Sequence, residues 1–316
     1  MSSWLKALPV VTVALAALGL QPAAAAYPEK PIRVIVMYSP GGSSDVVTRI
    51  LARYLEPILG QPVVIQNVAG GGGAVGWQQA REARPDGYTL TLFLDSLPVM
   101  EATGAVDFTQ DEFEPVAVWG TMPLTIFAKA DGPYASLADY MAAAKERPGE
   151  VGLAMGYGTP SQFVAKIVAD AMGADLNLVN VGGGAQKKAA VLGGHVDAGI
   201  EPTPGMAEPY RSGQFDLLAI LSEERLDAFA EVPTAKEQGV DAVHANTYAV
   251  VALKGTPEDR LEVLEQAIAQ VVEDPAFLEE NQKINFDITF MGREESKAHM
   301  EKVRERMLSI GQSLGF

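Results

Sequence analysis

Apolar residues in this chain follow two alternating patterns: short β-branched runs, and longer stretches with apolar positions three and four apart. Near the start, Ile32-Arg33-Val34-Ile35-Val36-Met37 suits a strand buried on both faces. Pro40-Gly41-Gly42-Ser43-Ser44-Asp45 breaks that strand and supplies Ser and Asp side chains as helix caps. Val46, Val47, Ile50, Leu51, Tyr54, Leu55 and Ile58 then form one stripe of an amphipathic helix. Small glycines let backbone amides approach a ligand, and the first helix amides, lacking internal partners, lie at the positive helix end. Such a turn suits an anion with no Lys or Arg in the loop; it equally suits an ordinary capped strand-to-helix connection.

The pattern repeats. Val63-Val64-Ile65-Gln66 is strand-like and leads into Asn67-Val68-Ala69 and the glycines Gly70 to Gly73, with a helix expected to Arg84. Pro85-Asp86-Gly87 is a turn, and Tyr88 to Leu94 a third strand ending at Asp95-Ser96. Val116 to Trp119 and Leu124 to Ala128 read as two separate strands, the second entering another domain. Ser136 to Lys145 reads as a helix, and Val151 to Met155 as a strand before Gly156-Tyr157-Gly158-Thr159-Pro160-Ser161-Gln162. There Thr159 and Gln162 predict a capping box, with Pro160 at the first helical position. A third glycine turn, Gly182-Gly183-Gly184, precedes a helix to Leu192. Val196 to Ile200, Phe215 to Leu221 and Thr247 to Leu253 read as strands. Thr234 with Glu237 predicts a capping box, and helices are expected after Thr256-Pro257, after Asp274-Pro275 and from Glu294. Strand, glycine turn and helix recurring in this way indicate parallel sheets with ligand-facing turns at the strand C-terminal ends.

The first residues change the setting. Lys6, the apolar stretch Ala7 to Leu20 and Ala24-Ala25-Ala26 before Tyr27 read as a cleavable export signal, residues 1–26. Pro9 and the short apolar length argue against a permanent membrane helix. The remainder, Tyr27 to Phe316, is long enough for two α/β domains. The chain has no Cys, which excludes disulfides, thiolate metal sites and cysteine nucleophiles. A net charge of −16 disfavours nucleic acid and anionic lipid as partners, but not a small anion held by local amides. The expectation is a soluble, exported monomer.

Candidate chemistry is sparse. Gly71, Gly73 and Gly76 after a strand, with Asp95 at a later strand end, approach the dinucleotide fingerprint, so an exported NAD(P)-dependent oxidoreductase is one alternative. Four consecutive glycines match many such patterns by accident, and export points away from a nicotinamide cofactor. His195, His244 and His299 are scattered, and no G-x-S-x-G elbow is present, so neither a metal site nor hydrolase chemistry is expected.

Several segments carry a resemblance: Tyr27-Pro28 with Pro31-Ile32; Pro40 to Asp45; Leu59-Gly60-Gln61-Pro62-Val63-Val64; Asn67 with the glycine run; and Pro85-Asp86-Gly87-Tyr88-Thr89-Leu90. Leu192-Gly193-Gly194-His195-Val196-Asp197, Val232-Pro233-Thr234 with Glu237 and Gly239, and Lys254-Gly255-Thr256-Pro257 extend it. In order and spacing they resemble the solute-binding proteins of tripartite tricarboxylate transporters, the Bordetella uptake gene family, over Tyr27 to Met307. The resemblance implies an α/β, periplasmic binding protein type II-like fold: two lobes, each with a mainly parallel sheet flanked by helices, closing on a ligand in the cleft between them. Residues 27–126 plus 248–316 would form lobe 1, and 127–247 lobe 2. It also implies no enzyme activity, no cofactor, a small carboxylate ligand with di- or tricarboxylates favoured, and delivery to integral-membrane permease subunits. A ligand-binding subunit serving a sensor is the other alternative.

Under that resemblance the candidate ligand residues of lobe 1 are Tyr38, Ser39, Gly42, Ser43, Ser44, Asp45, Gly70, Gly72, Gly73 and Ser96. Those of lobe 2 are Gly156, Tyr157, Gly158, Thr159, Ser161, Gly182, Gly183 and Glu201. Asp45 either faces the ligand or supports the Ser43-Ser44 turn. Glu201 either receives an amine or a protonated acid, or is a solvated loop acid. Tyr157 is a candidate replacement for an aromatic that many relatives carry elsewhere in the cleft. Tyr248, near the return crossing, either stacks on a ligand or packs in the core.

Overall fold

A computed structural model describes residues 27–157, 159–182 and 184–316. The expected export signal and the candidate positions Gly158 and Gly183 lie outside the described residues. The strands are β1 Ile32–Val36, β2 Val63–Asn67, β3 Thr89–Phe93, β4 Phe113–Lys129, β5 Gly152–Met155, β6 Asn177–Asn180, β7 Ala198–Pro202, β8 Phe215–Ile220, β9 Ala245–Leu253 and β10 Asp287–Met291. The helices are α1 Ser43–Leu59, α2 Ala74–Arg81, α3 Ser96–Thr103, α4 Leu137–Glu146, α5 Pro160–Met172, α6 Gly184–Leu192, α7 Ala207–Arg211, α8 Glu258–Val272, α9 Pro275–Lys283 and α10 Arg293–Leu314.

The strands run in the order β2-β1-β3-β9-β4-β7-β5-β6, with β10 and β8 also paired to β4. Pairings of β1 with β2 and β3, and of β5 with β6 and β7, are parallel. Among these, β1, β2, β5 and β6 feed the glycine turns. The crossing strands β4 and β9 pair antiparallel with their neighbours, so the sheet is mixed rather than mainly parallel.

β4 organises the molecule. The sequence reads it as two strands, because Gly120 and Pro123 interrupt the β-branched runs. The structure has one 17-residue strand with pairing irregularities at Pro115/Ala117 and Val118/Gly120. Its partner changes at the proline: Pro123 pairs with Ala245 of β9, and Leu124 with Pro202 of β7. One strand therefore carries a sheet on each side of that point.

Three hydrophobic clusters among the described residues make the core, and two of them sit on either side of that point. The first gathers β1, β3 and β9 around Trp77, Phe93 and Trp119, all fully buried. The second gathers Leu153, Phe163, Tyr140 and Ile200. α10 spans both, with Met300 in the first and Met307 in the second. Ser296 ties that helix to the sheet: its hydroxyl accepts from Val118 N–H at 2.8 Å and donates to Met291 O at 2.8 Å. Among the described residues, no helix is long and apolar enough to cross a membrane.

Candidate functional site

β1 ends beneath the first glycine turn. Gly42 occupies the N-cap of α1 with extended backbone, and no side chain caps the helix, against the expected Ser or Asp cap. The first α1 amides therefore have no side-chain partner. The reason is visible at Asp45, which is 3 % exposed. Its carboxylate accepts from Gly41 N–H at 2.8 Å, from Arg49 Nε at 3.0 Å and from Asn67 Nδ2 at 2.9 Å. Asn67 also donates to Tyr38 O at 3.0 Å and accepts from Arg49 at 2.9 Å. Burial opposes the charged form of Asp45, but these hydrogen bonds outweigh it and hold the carboxyl below its ordinary range. Asp45 and Asn67 thus brace α1 against β2 and the strand end of β1.

The rest of this turn is tied to the crossing strands. Ser44 Oγ and Tyr248 OH lie 3.4 Å apart, and Tyr248 OH meets Met122 Sδ at 3.5 Å. Tyr248 is buried with Trp119 and Phe286 around it, and burial raises its phenol pKa. Tyr38 OH donates to Ser96 Oγ at 3.0 Å, and Ser96 is 3 % exposed. Ser39, Gly42 and Ser43 are exposed. Gly41, Ser43 and Val46 line a cavity of about 300 Å³, faced by Met122, Pro204, Glu208 and Arg211. Gly70 and Gly72 are exposed, whereas Gly73 is buried against Met37 and Met100.

The second group of candidates surrounds another cavity, of about 410 Å³. Gly156, Tyr157, Thr159, Ser161, Gly182 and Glu201 all line it, together with Leu124, Asn180, Gly184, Lys187 and Asn246. The capping box expected at Thr159 and Gln162 does not cap α5, although Pro160 takes the first turn as expected. The Thr159 hydroxyl turns back instead, donating to Gly156 O at 2.7 Å. It also lies 2.9 Å from Ser161 Oγ, which accepts from Gly156 N–H at 2.9 Å. Asn180, at the end of β6, accepts from Tyr157 N–H at 3.1 Å. The turn thus satisfies itself. Tyr157 is 63 % exposed, its ring 5.7 Å from that of Phe316.

At the third glycine turn, Glu201 is not a solvated loop acid. Its side chain is 16 % exposed, and its Oε2 lies 2.8 Å from the Lys187 ammonium, itself 6 % exposed. Lys187 also donates to Ile200 O at 2.6 Å. A Cβ on Gly184, the first residue of α6, would come within 2.1 Å of Glu201 Oε1. The carboxylate occupies the space a side chain would take there, so a larger residue requires Glu201 to move. Lys187 was missed by the sequence reading, although it lies three residues after Gly184 and so near the same helix face.

Of the lobe 1 candidates only Ser43 lines the first cavity, whereas six lobe 2 candidates line the second; the crossing strands join the two. Met122 and Leu124, two residues apart on β4, lie one in each. Beside that crossing lies a buried polar pair absent from the sequence reading as a pair. Asp95 Oδ2 faces His244 Nε2 at 3.5 Å, and neither atom has a hydrogen-bond partner among the described residues. Asp95 Oδ1 accepts from Thr247 N–H at 3.3 Å, and Thr247 Oγ1 meets His299 Nε2 at 2.9 Å. Burial raises the Asp95 carboxyl to about 7; burial, helped by Arg306, lowers the His244 imidazole to about 4. Asp95 is 1 % exposed and engaged with β9. It therefore has no surface to offer a ribose, the role that the dinucleotide alternative needs. Among the described residues no group of His, Asp and Glu has the arrangement to hold a metal ion.

A mixed sheet threaded by one long crossing strand, with glycine-opened helices facing cavities on both sides of the crossing, is an architecture on which a solute-binding receptor can be built. Residues 47–315 match the family model of the tripartite tricarboxylate transporter family receptor, and the chain belongs to that family. It is 35 % identical to the protein BugT of Bordetella pertussis over 275 residues, 85 % of this chain and 84 % of that protein. The crystal structure of a TctC solute-binding protein from Polaromonas is similar with a TM-score of 0.79 and 28 % identity, over 91 % of this chain and 99 % of that one. An adipate-bound protein of R. palustris has the same fold, with a TM-score of 0.79 and 22 % identity over 92 % and 98 %. The family assignment sets the oxidoreductase alternative aside.

Proposed function

We propose that this chain is a periplasmic receptor that captures a small organic carboxylate between its two lobes and delivers it to the integral-membrane subunits of a tripartite permease. The lobes are residues 27–126 with 248–316, and 127–247, as the sequence divides them. The observation that carries this reading is the uncapped start of α1, whose amides border a cavity while Asp45 is held away by Arg49, Asn67 and Gly41. Amides at a helix start attract an anion, and each charge-assisted hydrogen bond contributes roughly 1.5–3 kcal/mol, so a few support micromolar binding. The adipate in the R. palustris neighbour supports a carboxylate as the ligand class. Ligand-driven closure would bring the α5 and α6 turns over the α1 start, and closure rather than chemistry is the working step. The expected leader over residues 1–26 would take the chain to the periplasm.

Thermal melting of the mature protein with monocarboxylates, C4 to C6 dicarboxylates, citrate, amino acids and NAD tests the capture. A ligand at ~100-fold its dissociation constant adds about 2.7 kcal/mol. For a protein of this size the melting temperature rises by roughly 5–10 °C. No shift with any carboxylate, or a shift with NAD alone, overturns the reading. Delivery is tested by deleting the chain from its host and measuring uptake of the identified carboxylate, which must fall.

A further inference from the structure

Resting on the proposed carboxylate-receptor function, the geometry points to a narrower ligand class: the end of the ligand facing α6 is a neutral hydrogen-bond donor, a hydroxyl or carboxamide, and not a second carboxylate. The sequence alone favours two carboxylates, because both halves of the chain offer a glycine-opened helix start. In the structure those starts differ. The positive end of α6 is already faced by a carboxylate of the protein itself, Glu201, pressed against Gly184. A ligand carboxylate entering there would meet a like charge in a largely buried setting, where repulsion is poorly screened.

The charge balance of the cavity leads the same way. Lys187 and Glu201 are the only charged side chains among the described residues that line it, and they are paired at 2.8 Å. The cavity therefore has no net charge to offer an anion or a cation. An ammonium would add a second positive charge beside Lys187, so a neutral group fits best.

Donor accounting completes the case. The Thr159 proton is spent on Gly156 O, so the short Thr159–Ser161 contact uses the Ser161 proton. Both hydroxyls of the α5 turn have thus given away their donors. Lys187 is held by Ile200 O and Glu201. What remains for a ligand includes two buried acceptors of the lining, Glu201 Oε2, which has only its ion-pair contact with Lys187, and Asn246 Oδ1; neither has a hydrogen-bond partner among the described residues. An acceptor-rich pocket selects a donor, and a ligand lacking one leaves a buried acceptor unpaired.

The test is isothermal titration of the mature protein with a matched series: succinate, succinamate, γ-hydroxybutyrate and γ-aminobutyrate, with adipate and its monoamide as a longer pair. The expected result is that the amide or hydroxyl member binds about tenfold or more tightly than the dicarboxylate of equal length. In Glu201→Gln, Lys187 loses its partner and the order reverses toward the dicarboxylate. Because that variant strands a buried ammonium, Lys187→Met/Glu201→Gln serves as the second variant, and it must bind all members of a pair alike. A dicarboxylate or the amino acid binding most tightly to the native protein, or an order unmoved by Glu201→Gln, overturns this inference while leaving the carboxylate receptor standing. No binding by any member, or by any carboxylate in the melting series, overturns the receptor reading and this inference with it.

Discussion

The starts of α1 and α6 look alike in sequence: a strand, two or three glycines, then an amphipathic helix. In the structure they are electrostatic opposites. At α1 the nearby carboxylate, Asp45, is drawn back by three hydrogen-bonding partners, and the helix-start amides remain without a side-chain cap. At α6 a carboxylate arrives from β7, and Gly184 leaves room for it. Equal helix dipoles thus face unequal surroundings. A glycine turn opening a helix is permission to bind an anion, and the neighbours decide whether the protein supplies that anion itself.

The largest break in this contrast comes from Asp45→Ala. It removes the acceptor for Gly41 N–H, Arg49 and Asn67, and hydrogen bonds to a charged group each contribute on the order of 1.5–3 kcal/mol. Arg49 is half exposed and can turn to water, so the expected total loss is about 2–3 kcal/mol in urea unfolding, with ligand affinity lost as the α1 turn loosens. Gly184→Ala is next. Its methyl group cannot coexist with Glu201 at its present place, and overpacking of this kind costs about 1–3 kcal/mol. The matching change at α1, Gly42→Ser, meets only Ser39 O at 3.5 Å, an ordinary contact, and is expected to shift stability by less than about 0.5 kcal/mol. Equal effects of the two glycine changes would remove the distinction drawn here.

The crossing between the two turns gives a pH test. Asp95, raised from 3.8 to about 7, binds its proton more tightly folded than unfolded, so its contribution is present at low pH and lost as pH rises through about 7. His244, lowered from 6.5 to about 4, resists its proton when folded, so its contribution is present at higher pH and lost as pH falls from about 6.5 to about 4. The two slopes oppose each other over a shared window, so the net contribution of this pair is expected to stay nearly constant between pH 4.5 and 6.5. Single variants expose the halves. His244→Gln should lose stability as pH rises across this window, and Asp95→Asn should gain it, both read by urea unfolding. Arg306 stays charged throughout, and His299, lowered chiefly by burial, meets the pair only through Thr247. Parallel pH profiles in the two variants would show that the groups do not share the site as described.

The smallest expected effect on stability is at Tyr157. Its ring is mostly exposed, so Tyr157→Ala should change stability by less than about 0.5 kcal/mol while weakening the ligand through the loss of an aromatic wall. Unchanged affinity for every ligand would remove Tyr157 from the site.

Much of the fold was legible because local rules and tertiary structure agree. Thr234 and Glu237 form their capping box reciprocally, at 2.8 and 3.1 Å. Asp274 caps α9, accepting from Ala276 N–H at 2.7 Å, and Ser136 caps α4. Elements were missed where the local signal conflicts with the outcome. α3 carries Pro98 in its first turn and follows directly on the strand-ending Asp95-Ser96, so it reads as loop. β10, with a mixed pattern and an exposed Phe290, owes its strand form to pairing with β4. β4 itself reads as two strands because Pro123 is a breaker in sequence; in space it marks the change of partner from β9 to β7.

By itself the sequence determined the repeating strand–turn–helix units, the glycine-opened helix starts and the family they resemble. Periodicity, turn residues and caps act over a few neighbouring positions, and each leaves its mark there. The tertiary structure alone decided which carboxylate stands at which helix start. Asp45 is held by Asn67 from the next strand, and Glu201 reaches Gly184 across 17 positions with Lys187 beside it. Charge acts through space, and a glycine turn acquires its electrostatic character only when the fold has chosen its neighbours.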